Sequence, residues 1–396
     1  MKLTYRSTVF ACYNGYITQA ISINLAPLLY VTFCNQFGLS LSQISGMIAC
    51  NFIFQLAVDS LATKFGGRLN ARFFTVLAHV ITVVGLVGLS FFPFLMPPYI
   101  GLLLASGLLG IGGGFTEVMI SPLLEACPTE EKSGNMSLLH SFYCWGQAGV
   151  VLLSGLFFRF FAIEEYWRIL PFLWAILPLA GAIAFSIVPI YSLPADETDV
   201  STSKSLFRQP RFFCFLLLMF CAGASEMVMS QWASSFAEAA LGISKELGDL
   251  LGPCFFALMM GAARALYGMF SKRWNLQALM LGGCVLCFLS YLIAAFVPAS
   301  GLALAGCAMC GFAVGIFWPG LLSEASKEFP TGGVSMFAVL ALAGDVGCLL
   351  GPSLAGKVAD LGGSLRDAFC FALIFPFICF VVLLLRKGSG KKEKQK

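Results

Sequence analysis

Twelve apolar stretches, each about as long as a helix needs to cross a bilayer, follow one another along the 396-residue chain with short polar breaks between them. They fall at 8–33, 41–62, 73–92, 99–122, 134–158, 168–190, 212–238, 248–270, 275–296, 301–322, 334–356 and 367–385. In hydrocarbon every backbone N–H and C=O must find its partner within the protein, so runs of this length are expected to be helices. Composition agrees: 11% of the residues are charged, where a soluble domain carries about 25%. The expected fold class is an all-α membrane protein with twelve transmembrane helices. The opening run is too long for the core of a cleavable signal peptide and is read as the first span.

One stretch stands apart. PADETDVSTSKSLFRQP, from Pro194 to Pro210, is polar, charged and rich in turn residues, the composition of a solvated linker. It divides the chain into an N-terminal six-helix half (1–192), a linker (193–210) and a C-terminal six-helix half with a basic tail (211–396). The halves echo each other. Pro122-Leu-Leu-Glu-Ala126 stands opposite Leu321-Leu-Ser-Glu-Ala325, and Gly146-Gln-Ala-Gly149 opposite Gly344-Asp-Val-Gly347. Repeated halves with a solute site near the midplane are a transporter plan. Lysine and arginine fix the orientation. With both termini on one side, that side holds 18 of them, including Lys64, Arg68, Arg72, Lys272 and the tail. The other side holds 5, and Arg264 alone lies within a span. The rich side is expected to be cytoplasmic, in a multi-pass protein of the plasma membrane.

Several function classes drop out. There is no phosphate-binding loop for ATP and no Cys/His metal spacing, and no soluble domain carries a catalytic constellation. An enzyme, a cofactor and a metal site are therefore not expected. The 15 cysteines sit in apolar runs and read as small hydrophobes. The net charge of +4 comes largely from the tail KKEKQK and gives no ground for nucleic-acid binding.

Ionisable groups inside spans are costly, about 2.5–3.5 kcal/mol on insertion scales, and usually face a cavity or a partner. Glu117 lies nine residues before Ala126 in the fourth span, preceded on its face by Gly110, Gly113 and Gly114. It reads as a proton acceptor, with a packing hydrogen bond as the other reading. Asp345, between Gly344 and Gly347, joins it as a proton-coupling candidate. Asp345, Glu226 and Arg264 are expected to form an ion-pair set in the second half. Asn51, Gln55 and Asp59 recur every four residues in the second span, and Asn14, Thr18 and Gln19 stud the first. With Ser121, Tyr143, Gln147, Glu226 and Trp232 these supply the amides, hydroxyls and ring that a hydroxyl-rich solute needs. Asn14, Thr18, Gln19, Asn51, Gln55, Ser121, Tyr143, Gln147, Glu226 and Trp232 are the solute-binding candidates. Asp59, Lys64, Arg68 and Arg264 are the gating candidates. Trp318 is another in-span tryptophan, open to solute stacking or core packing.

The loop LATKFGGR, Leu61 to Arg68, resembles the short basic loop of the major facilitator superfamily, with Thr63 at its acidic position. Within that superfamily the sequence is most similar to the fucose–proton symporter branch. The likeness rests on Gly114-Phe-Thr-Glu117-Val-Met-Ile-Ser-Pro122, on Leu139-His-Ser-Phe-Tyr-Cys-Trp-Gly146, and on Glu226 to Trp232 with Gly261-Ala-Ala-Arg264. The resemblance implies a proton-linked role for Glu117. The branch's asparagine before proline is Ser121 here, and its acidic residue in the first helix is Thr18.

These readings converge on a secondary active transporter. It is expected to import a small polar solute such as a sugar with protons, by alternating access, as a monomer in the bilayer. A proton-coupled efflux antiporter is the rival in the same class, although the fifth span lacks proline. A non-transporting solute sensor is the rival from another class, and no large cytoplasmic output domain supports it.

Overall fold

In the computed structural model the described residues are 3–39, 41–65, 69–191, 206–242, 250–362 and 364–393, and every regular element among them is helical. The first span is α1 (Tyr5–Asn24), a short 3₁₀ turn at Ala26–Leu29 started by Pro27, and α2 (Tyr30–Phe37). Gly38, at φ 65°, closes α2 in the left-handed conformation that suits glycine. Then come α3 (Leu41–Phe65), α4 (Ala71–Leu95), α5 (Pro98–Ala126), α6 (Lys132–Phe160), the single turn α7 (Ile163–Tyr166) and α8 (Ile169–Ile187). The second half runs through α9 (Pro210–Leu241), a π-helical turn at Leu250–Cys254, α10 (Phe255–Phe270) and α11 (Leu276–Phe296). It ends with α12 (Ser300–Val314), α13 (Phe317–Glu328), α14 (Gly333–Gly362), α15 (Leu365–Ala372) and α16 (Ile374–Glu393). The linker expected at 193–210 lies outside the described residues as far as 205.

Ten stretches among the described residues are long and apolar enough to cross a membrane, counting α12–α13 and α15–α16 as one span each. The broken first span and α3, whose apolar part is Gly46–Ala62, complete twelve. Ile53, Leu153, Ile183 and Phe296 stand exposed on the helix surfaces, as lipid-facing side chains do.

By their internal contacts the residues gather into two compact units. Unit 1 comprises 1–130, 142–203 and 331–339; unit 2 comprises 131–141, 204–330 and 340–396. The first turns of α6 thus belong to unit 2, and those of α14 to unit 1.

The repeat seen in the sequence recurs as packing inside each unit. Asn70 opens α4 and Asn275 opens α11, each side chain accepting from a backbone N–H three residues on at 2.9 Å. In unit 1, Gly110 of α5 presses on the Asn51 carbonyl of α3 so closely that a Cβ would overlap it. In unit 2, Gly311 of α12 does the same to the Phe256 carbonyl of α10. Such backbone approach is how helices pack where no hydrophobic effect drives them together. Unit 1 also has an aromatic core, in which Phe33, Phe37 and Phe94 surround the buried Trp167, whose indole N–H donates to Gln36 Oε1 at 2.6 Å.

Candidate functional site

The small residues of α5 let three helices close in. Gly110 and Gly114 meet α3, Gly112 meets Thr82 and Ala78 of α4, and Gly113 meets Ser22 of α1. That approach brings two glutamines onto one carboxylate. Glu117 Oε2 accepts a hydrogen bond from Gln19 Nε2 of α1 at 2.7 Å and another from Gln55 Nε2 of α3 at 2.8 Å. Gln19 and Gln55 are 5% and 3% exposed, and Glu117 is half-buried. Hydrogen bonds to a charged group contribute about 1.5–3 kcal/mol each, more than neutral ones.

The chemistry of the amide matters here. Gln19 Oε1 is buried without a hydrogen-bond partner among the described residues. An amide carries two donors and an acceptor. Gln19 can therefore hold the carboxylate through its N–H and the carboxylic acid through its C=O. The cradle suits both protonation states of Glu117.

Unit 1 carries the other polar groups singled out from its sequence. One turn along α5, Ser121 Oγ and Tyr16 Oη are 2.7 Å apart. Thr18 is fully buried, and its hydroxyl has no hydrogen-bond partner among the described residues. Asn14 Nδ2 donates to the Leu177 carbonyl at 3.0 Å, tying α1 to α8, and Asn51 Nδ2 donates to the Ser106 carbonyl at 3.2 Å, tying α3 to α5. Tyr143 and Gln147 are half-buried on the part of α6 that belongs to this unit. Asp59 is fully buried one turn after Gln55, and Lys64 is exposed, its ammonium 5.3 Å from the ring of Phe65. Arg68 lies outside the described residues.

Unit 2 holds its carboxylate differently. Arg264 of α10, 3% exposed, donates through Nη2 to Glu226 Oε2 of α9 at 3.2 Å. Its Nε donates to the Gly315 carbonyl at 2.8 Å and its Nη1 to the His140 carbonyl at 3.2 Å. The Arg264 carbonyl in turn accepts from Ser137 Oγ at 2.8 Å. Trp232 Nε1 donates to the Pro352 carbonyl at 3.2 Å, fastening α9 to α14. Asp345 is half-buried on α14, next to Gly344, whose missing side chain leaves room for the ring of Trp318.

Of the residues singled out from sequence, the structure gathers Gln19, Gln55 and Glu117 into one cluster and Glu226 with Arg264 into another. Sequence reasoning cast the two glutamines as solute ligands and did not foresee that they meet Glu117. It missed Tyr16, an aromatic set among the polar Asn14, Thr18 and Gln19, and Gly315, whose sequence signal was the proline four residues on.

The model of the Major Facilitator Superfamily matches residues 11–337. The chain belongs to that superfamily. Its twelve-span, two-half fold is the major facilitator fold, and membership makes it a multi-pass membrane transporter rather than an enzyme. No curated protein sequence matches it. Among solved structures, a superfamily transporter, FucP, in the outward conformation is similar at a TM-score of 0.82 and 14% identity, over 96% of this chain and 99% of that one. The E. coli fucose:proton symporter FucP in a second crystal structure gives 0.80 at 14% identity, over 97% and 99%. The proton:xylose symporter XylE bound to 6-bromo-6-deoxy-D-glucose gives 0.79 at 14% identity, over 96% and 94%. A human organic anion transporter gives 0.76 at 14% identity, over 96% and 100%. At this identity the likeness speaks for the fold.

Proposed function

We propose that this transporter imports a small polar solute, such as a sugar, together with protons by alternating access, and that Glu117 carries the proton. The observation behind this reading is the cradle of Gln19 and Gln55 on Glu117 Oε2, with an acceptor atom of Gln19 to spare. Neutral amides hold the carboxylate without fixing its charge. Protonation changes the net charge of the cluster by one while each state keeps hydrogen-bond partners. Thr18, with its unused hydroxyl, and Tyr143 and Gln147 on α6 offer groups for a hydroxyl-bearing solute. Two of the structurally similar proteins are named as proton symporters of fucose and xylose, which points the same way.

Coupling requires that proton and solute together favour the switching state; a ligand with no differential affinity for the two states moves nothing. The lysine and arginine asymmetry favours both termini in the cytoplasm of a plasma-membrane protein. A monomer suffices for this mechanism.

The first experiment is a thermal-shift screen over sugars, polyols, nucleosides and organic acids, followed by transport of the best binder in proteoliposomes. Glu117→Gln is expected to abolish accumulation against a gradient while counterflow exchange persists. A variant that still concentrates the solute would remove Glu117 from the coupling step.

A further inference from the structure

Three arginines in this chain bond the same kind of carbonyl. Proline has no N–H, so within a helix it leaves the carbonyl four residues earlier without its usual donor. Arg72 Nη1 reaches the Phe185 carbonyl at 2.9 Å, four residues before Pro189. Arg366 Nη1 reaches the Ala294 carbonyl at 3.4 Å, four residues before Pro298. Arg264 Nε reaches the Gly315 carbonyl at 2.8 Å, four residues before Pro319.

The first two lie at helix ends and also bond neighbouring terminal carbonyls, Ser186 and Val188 in one case, Ala295 and Val297 in the other. There an arginine acts as a C-terminal cap. The third is different. Gly315 lies inside a span, between α12 and α13. Its backbone and that of Ile316 remain right-handed helical, with φ −50° and ψ −35°, then φ −88° and ψ −15°. Helical bonding runs on both sides, with Gly315 N–H to the Gly311 carbonyl at 3.1 Å and Gly320 N–H to the Ile316 carbonyl at 2.9 Å. The break is therefore a proline kink in a continuous helix. At this depth a freed carbonyl has to be satisfied by protein.

We infer that Arg264 is a positioning residue that pins the Pro319 kink of the tenth span by replacing the backbone donor that proline lacks, with Glu226 as a counter-charge beside the guanidinium. Serine could supply one donor and asparagine two; the guanidinium supplies five in a rigid fork. Arg264 uses that fork to join the kink to Glu226 of α9 and to the His140 carbonyl. The kink sets the direction of α13 and so the place of Trp318. A Cβ at position 344 would stand 2.6 Å from Trp318 Cζ3, which is why that ring fits only against glycine. Glu226 and Arg264 thus shape the tenth span.

The test uses the full-length protein in lipid nanodiscs without any solute, so its outcome does not depend on the transport proposal. Glu226→Gln/Arg264→Gln removes the fork and both charges of the Glu226–Arg264 pair together. Amide hydrogen exchange over residues 312–320 is expected to rise about tenfold, the effect of one charge-assisted hydrogen bond lost. Pro319→Ala restores an N–H to the Gly315 carbonyl, so adding it to the pair variant is expected to bring exchange back to the level of Pro319→Ala alone. If the pair variant does not yield folded protein, recovery of monodisperse protein on adding Pro319→Ala supports the assignment. An equal rise in exchange with proline or alanine at 319, or no recovery of folding, overturns it.

Discussion

The two units each keep a glutamate within a span, and they treat it in opposite ways. In unit 1, Glu117 is held by the amides of Gln19 and Gln55, which are neutral in themselves. In unit 2, Glu226 faces the guanidinium of Arg264, which is further committed to two backbone carbonyls. The first arrangement accommodates a change of charge. The second resists it, because neutralising Glu226 would remove a charge that balances a buried cation. The difference teaches where chemistry can be located in such a chain: a carboxylate held by amides is equipped to work, and one held by a buried arginine is equipped to hold shape.

Single substitutions can break this contrast. The largest effect is expected for Arg264→Gln alone, which strands Glu226 and removes the donor to Gly315. Breaking a buried pair from one side costs about 3–5 kcal/mol. Thermal unfolding and the yield of monodisperse protein should both fall sharply, and unfolding like the wild type would show that the pair contributes little. Next comes Gln55→Leu, which takes one donor from Glu117 at a cost of about 1–3 kcal/mol. Its melting temperature should drop in the parent and recover when Glu117→Gln is added, since a neutral residue no longer needs the donor. No recovery would mean that Gln55 acts elsewhere. Ser121→Ala removes one hydrogen bond to Tyr16 and is expected to lower stability by about 1 kcal/mol, with transport of the best-binding solute retained. A complete loss of transport would place Ser121 on the solute path instead. Glu117→Gln itself should leave the melting temperature nearly unchanged, within about 1 kcal/mol, because an amide still hydrogen-bonds to Gln19 and Gln55.

Much of this was legible in the sequence because lipid imposes simple rules. The spans follow from apolar length and the repeat from matched segments such as Leu321 to Ala325. Glu117 and Arg264 stood out because charge inside a span demands a reason. Partners were harder to read. Gln19 and Gln55 lie 98 and 62 residues from Glu117. Their meeting depends on how closely glycine lets α1 and α3 approach α5, which periodicity does not encode. Of the expected set of Arg264, Glu226 and Asp345, Arg264 and Glu226 are directly bonded at 3.2 Å. The third bond of Arg264, to Gly315, is a backbone contact that side-chain reasoning has no means of anticipating. The proline that creates it was visible at 319, and a search for the carbonyl it strands would have found the place. Arg68, in the basic loop, lies outside the described residues.

The most direct test of Glu117 as the proton carrier is calorimetry of solute binding in two buffers that differ in ionisation enthalpy, which counts protons taken up with the solute. The wild type should bind about one proton per solute at neutral pH, and Glu117→Gln should bind the solute with none. Equal proton uptake by the two proteins would contradict the account.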